Sequence, residues 1–196
     1  MRKLNRNGFT LIELLAVITI LGILMIVAIP AVSRTIENSR KDTFLSTAKQ
    51  YANEVKTQWA ADNITCGTES ASGVAPGKWY VVKINSTTGD GTNGQKNAHS
   101  LVEQGGKSSW GNQDVAGYVL VKTDGSSNAK TTYYVQLVDA GGRGVKYVAS
   151  GDTASPVSDL LQRNHVSLTS GVTFANAQTT GLPTSPAAPT ECTVDQ

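Results

Sequence analysis

The sequence predicts an α+β protein: one long N-terminal α-helix packed against a C-terminal antiparallel β-sheet head. Three observations carry that expectation. Leu14 to Ser33 is a run of twenty residues without a charge, which as helix would extend about 30 Å and match the hydrocarbon thickness of a bilayer. Ile36, Phe44, Ala48, Tyr51, Ala52, Val55 and Trp59 then recur mostly three and four residues apart, while Arg40, Lys41, Lys49, Glu54 and Lys56 fall largely off that stripe; this is the period of an amphipathic helix. Beyond Gly77 the pattern shifts to short β-branched and aromatic runs bounded by turn formers.

Composition limits what such a chain can do. Of 196 residues, an anchor helix leaves about 130 to 160, enough for one domain with its own core. A hydrophobic content of 39% with 6% aromatic residues excludes a disordered tail and a polytopic membrane protein. The net charge of +2 comes from 17 basic and 15 acidic side chains, but Arg2, Lys3 and Arg6 all lie in the first seven residues; without these three the count is 14 against 15. The later Lys and Arg residues form no run, so DNA remains a possible partner without support in the charge pattern.

The elements follow in order. Met1 to Asn7 carries the basic leader charges, which by the positive-inside bias hold the N-terminus on the cytoplasmic side and leave everything after the apolar run outside. A secretory signal also begins with basic residues, but its apolar core spans about 7 to 15 residues and ends at a small-residue cleavage site. Here the run is longer, Glu13 sits at its edge, and the small-residue stretch Ala28 to Ala31 contains Pro30. A charge in that setting costs about 2 to 3 kcal/mol or more, so Glu13 needs a partner. In a plain single-pass anchor, Glu13 would only snorkel to the headgroups. That explains an anchor but not the order Gly8-Phe9-Thr10-Leu11-Ile12-Glu13.

The basic leader, the Gly8 to Glu13 hexapeptide and the apolar helix with Gly22 and Pro30 resemble the N-terminus of the type IV pilins and of the related type II secretion pseudopilins. The resemblance covers the first thirty-odd residues. It implies that a prepilin peptidase cuts between Gly8 and Phe9, that the new terminus at Phe9 is N-methylated, and that Glu13 meets the free amine of a neighbouring subunit during filament assembly. The physics agrees, since an ammonium and a carboxylate in a low-dielectric bundle relieve each other's desolvation. It also implies the pilin fold, divided as 1–8 leader, 9–63 helix (9–32 membrane or filament core, 33–63 amphipathic) and 64–196 head. Gly22 lowers helix propensity and Pro30 removes a backbone donor. The interval between them either loses helix on assembly, as in filaments of the family, or is a simple proline kink.

After a helix running to about Asp62, Ile64 to Gly77 reads as a loop. Lys78–Ile84, Gly117–Lys122, Thr131–Val138 and Val145–Ala149 read as strands, joined by Gly-rich connections that favour antiparallel hairpins. A meander of three or four strands should cover the Phe44 to Trp59 stripe. Ser155 to Leu161 reads as a short helix, His165 to Phe174 as a last strand, and everything from Ala175 as an irregular tail. Cys66 and Cys192 lie on the extracytoplasmic side, where an oxidising compartment favours one bridge that stops the tail from fraying. Two isolated cysteines lack the spacing of a zinc site.

No motif carries catalysis. His99 and His165 stand apart, and Gly141-Gly142-Arg143-Gly144 lacks the Gly-Lys-Ser/Thr ending of a phosphate loop. Asp90, Asp114, Asp124 and Asp139 are scattered rather than alternating in a dense loop, which leaves a dedicated calcium site unpromising; no metal or cofactor is expected. The sequons Asn63-Ile64-Thr65 and Asn85-Ser86-Thr87 fall in expected loops. The resemblance therefore implies a non-enzymatic subunit of a type IV pilus filament serving adhesion, motility or DNA uptake. Its partners would be copies of itself, prepilin peptidase, the pilus assembly machinery and, before assembly, the cytoplasmic membrane that it spans once. The alternatives are a secretion pseudopilin and a membrane-anchored extracellular binding module.

Overall fold

In the computed structural model, the residues described are 9–67, 69–70, 77–85, 107–111, 113–124, 130–148, 156–185 and 187–194. The leader with Gly8, together with Asp90, His99, Ser155 and the end of the second sequon, lies outside them. One helix, α1, runs over Leu11–Ala60 and includes both Gly22 and Pro30. The chain divides into two compact units, Met1–Ser39 and Arg40–Gln196.

In the first unit, the apolar side chains from Leu11 to Val32 are exposed, Leu21 at 48% being among the least so. Thr19, a polar residue in that run, turns its hydroxyl back to the carbonyls of Leu15 at 2.8 Å and Ala16 at 2.9 Å. Its hydrogen-bonding need is thereby met inside the helix.

The second unit begins with the amphipathic end of α1. The helix stops at Ala60, two residues short of the expected end, because Asp62 takes a left-handed conformation at φ 58°. The Asn63 amide then returns to the Gln58 carbonyl at 3.0 Å and the Asp62 amide to that of Trp59 at 3.2 Å. This pair of bonds is a Schellman cap, with aspartate where glycine is usual.

Among the described residues eight strands follow: β1 Ile64–Cys66, β2 Glu69–Ser70, β3 Trp79–Asn85, β4 Val115–Thr123, β5 Thr131–Asp139, β6 Arg143–Val145, β7 Val166–Leu168 and β8 Thr190–Val194. They form one sheet in the order β2-β1-β8-β3-β4-β5-β6-β7. The expected antiparallel meander is β3 to β6. The parallel contact is β3 with β8, where Tyr80 faces Thr190 and Val82 faces Cys192. A long helix followed by an antiparallel-rich sheet is the α+β pilin fold.

Several boundaries differ from the sequence reading. The Ile64 to Gly77 stretch holds β1 and β2, since Ile64 and Cys66 alternate inward while Gly67 supplies the left-handed turn at φ 65°. The strand expected over Val145–Ala149 is displaced to Arg143–Val145, which draws residues of the glycine turn into pairing and frees Tyr147 to pack elsewhere. The Ser155–Leu161 helix shrinks to a 3-10 turn at Ser158–Leu160, and of the strand expected from His165 to Phe174 only Val166–Leu168 forms, after a second 3-10 turn at Arg163–His165. The tail is irregular only to Pro189, for β8 then inserts between β1 and β3.

Alternation builds the core on both faces of the sheet. Phe44, Ala48, Tyr51, Val55 and Trp59 of α1 meet Tyr80, Val82 and Ile84 of β3, Val119 and Val121 of β4, and Val135 and Leu137 of β5. Trp59 lies 5.6 Å from Tyr80, and Phe44 5.7 Å from Trp110, ring centre to ring centre. The opposite face carries Val81, Tyr118, Leu120 and Tyr147 with Trp79, Tyr134 and Leu182 beside them, and a smaller group of Ala116, Val138, Val172 and Ala177. The tail covers that face, and Gln136, fully buried, fastens it. Its Nε2 donates to the carbonyls of Ala177 at 2.8 Å and Thr180 at 2.9 Å, and its Oε1 accepts the Tyr147 amide at 3.1 Å. Gln178 adds a bond to the Ile84 carbonyl at 3.0 Å.

Candidate functional site

The first turn of α1 is built as a capping box. Thr10 precedes the first helical residue, and its backbone N–H donates to Glu13 Oε2 at 2.8 Å and its hydroxyl to the same oxygen at 2.7 Å. The Glu13 amide reaches back to the Thr10 hydroxyl at 3.4 Å. Thr-x-x-Glu ahead of an apolar run is the sequence signature of this device, and it satisfies helix donors that have no partner of their own. Thr10 is thus a capping position that a reading of Glu13 alone misses, although Thr10-Leu11-Ile12-Glu13 spells it out. The negative carboxylate also sits favourably at the positive end of the helix dipole.

Around this turn everything else is apolar and uncovered. Phe9 is 88% exposed and Leu11 85%. From here the helix presents an apolar segment of mean hydropathy 2.9 with none of it buried by the rest of the chain. A surface of that size in water would aggregate, so it requires lipid or the same surface of other molecules. Glu13 Oε2 already holds two bonds from Thr10, whereas Oε1 accepts none from the described residues. That oxygen can take one cationic donor, and in an apolar medium such a bond is worth far more than in water.

The expected Gly22 and Pro30 both lie within helix. A Cβ on Gly22 would meet nothing within 4 Å, so its lack of a side chain answers no packing need inside this chain. Cys66 and Cys192 are joined, directly opposite each other on β1 and β8 with their Cα atoms 4.0 Å apart. They lie nearly the length of the head apart in sequence, 126 residues. His165 lies in a 3-10 turn, and among the described residues no group of three His, Cys, Asp or Glu side chains could hold a metal ion.

Residues 3–29 match the family model described as the prokaryotic N-terminal methylation motif. This is the type IV pilin or prepilin leader signature, matched over the N-terminal segment. The motif and the apolar helix together fit a membrane-anchored precursor. No curated protein and no solved structure matches the chain.

Proposed function

We propose that this chain is a structural, non-enzymatic subunit of a type IV pilus, cut after Gly8, N-methylated at Phe9 and polymerised through its N-terminal helix. The supporting observation is the methylation motif running directly into a helix whose apolar segment is wholly uncovered. Before assembly that segment spans the cytoplasmic membrane once. In the filament the same surface packs against other copies, and the Phe9 amine of one subunit meets the Glu13 carboxylate of another. Each group escapes the cost of lying unpaired in an apolar medium. A head-to-tail contact that does not close yields a fibre rather than a ring.

Assembly offers a use for the weak interval. Pro30 leaves the Ile26 carbonyl without its helical donor, and Gly22 lowers helix propensity by about 1 kcal/mol. We read Gly22 to Pro30 as the stretch that unwinds when subunits pack, which spectroscopy on fibres showing unbroken helix would contradict.

The disulfide that ties the last strand into the sheet resembles that of surface pilins more than the pattern of secretion pseudopilins, so adhesion, motility or DNA uptake is favoured over a secretion piston. Shearing intact cells and sedimenting the released material tests this. A fibre composed of the mature chain beginning at Phe9 is the expected result. A chain that stays with the cells and keeps its first eight residues would overturn the assignment and leave a tethered binding module.

A further inference from the structure

Residues 156–168 carry the chain along α1 to β7, and charge holds them there. Lys56 Nζ donates to Asp159 Oδ1 at 2.5 Å, and Arg163 forks onto Asp42 with Nε on Oδ1 at 2.6 Å and Nη2 on Oδ2 at 2.5 Å. The 3-10 turn Arg163–His165 sits between that fork and β7. It is closed by two bonds between the same residues: the His165 amide donates to the Gln162 carbonyl at 2.9 Å, and the Gln162 amide donates to His165 Nδ1 at 2.8 Å. The second bond is chemically conditional. A ring nitrogen accepts only while it carries no proton, and an imidazolium is a donor at both nitrogens.

Charged groups from the neighbouring elements border the turn. Lys41 and Asp42 of α1 line one open groove with Gln162, Arg163 and Asn164. Lys146 follows β6, whose Val145 pairs with Val166, so it continues the strand opposite His165. Both flanking acids are already engaged, Asp42 by Arg163 and Asp159 by Lys56. The hydrogen bond from Arg163 holds the Asp42 carboxyl below its ordinary range. Asp42 therefore keeps its charge in mild acid, where histidine is the side chain that changes its own.

We propose that the Gln162–His165 turn is a pH-sensitive latch: at neutral pH His165 closes it, and in mild acid the protonated ring releases the Gln162 amide. The turn then opens, the Arg163–Asp42 fork loosens, and the groove it borders with α1 changes shape. This device belongs to the head and does not depend on the filament reading.

Hydrogen exchange of the full chain in detergent micelles, resolved to the Gln162 amide and corrected for intrinsic rates, tests it at about pH 7.5 and about pH 5. In the wild type, protection of that amide is expected to fall about three- to tenfold in acid, the scale of one hydrogen bond, while β5 amides keep theirs. His165→Ala should show the low value at both pH values. Equal wild-type protection at the two pH values overturns the latch, as does a fall that β5 shares or that His165→Ala reproduces. The wild-type comparison decides even if the variant does not fold.

Discussion

At the scale of single residues, Glu13 and Gln136 show how a polar group in an apolar setting acquires a task. Glu13 is half satisfied by Thr10 and has one oxygen to spare. Glu13→Ala should still reach the membrane and be cut after Gly8, yet yield about tenfold less sedimentable fibre, since losing 1.4 kcal/mol per contact is already a factor of ten. Normal fibre yield would remove the proposed role. Thr10→Ala removes the cap and should cost about 1 kcal/mol of local helix stability, read as faster amide exchange in the first turn. Gln136→Leu leaves two carbonyls and the Tyr147 amide without partners inside the outer layer. A loss of about 2 to 4 kcal/mol is expected, measured by denaturant unfolding. Gly117 answers a different need, because a Cβ there would come within 1.9 Å of the Gln136 carbonyl oxygen. Of these residues, Glu13 was legible from the sequence because a carboxylate beside an apolar run violates a simple expectation. Gln136 was not, because the two carbonyls it binds, those of Ala177 and Thr180, lie 41 and 44 residues on, in a stretch without periodicity.

At the scale of elements, legibility followed the strength of the local pattern. The long helix showed through its apolar run and the stripe that follows it, and strands β3, β4 and β5 through runs of β-branched and aromatic residues seven to nine long. Strands β1, β6, β7 and β8 span only three to five residues, too few for alternation to register, and long-range pairing decides them. Thr190-Glu191-Cys192-Thr193-Val194 does alternate, with Cys192 and Val194 buried, but it follows a Pro- and Thr-rich stretch that reads as tail. The disulfide fixes that strand against β1. Replacing both cysteines by serine should cost about 2 to 5 kcal/mol, checked by the shift in the unfolding midpoint. An unchanged midpoint would mean that pairing alone secures β8. The outer aromatic layer predicts an alkaline limit. Burial, and then Tyr134, pushes the Tyr147 hydroxyl up to about 12, and burial, and then Tyr147, raises that of Tyr118. The folded state thus favours their neutral forms. That stability is complete below the ordinary tyrosine value of about 10 and is lost as pH rises through the folded-state value. Thermal midpoints should hold up to about pH 9 and drop steeply toward about pH 12; a flat profile would contradict the packing of this layer.

At the scale of the whole molecule, the chain carries two kinds of surface. The head buries its sheet on both faces, with α1 on one and the tail on the other, and so completes its own core. The apolar segment of α1 does the opposite, and its uncovered side chains are what the methylation motif makes intelligible. A chain with one finished surface and one unfinished surface must be completed by something outside it. First lipid and then other copies of the same segment fit that requirement without a change of chemistry. One distance tests the polymer most directly: the separation, in a reconstruction of the native fibre, between the Phe9 amine of one subunit and the Glu13 carboxylate of its neighbour. A charge-assisted hydrogen bond of about 2.8 Å is expected. A Glu13 that contacts only its own Thr10, with the neighbouring amine lying elsewhere, would contradict it.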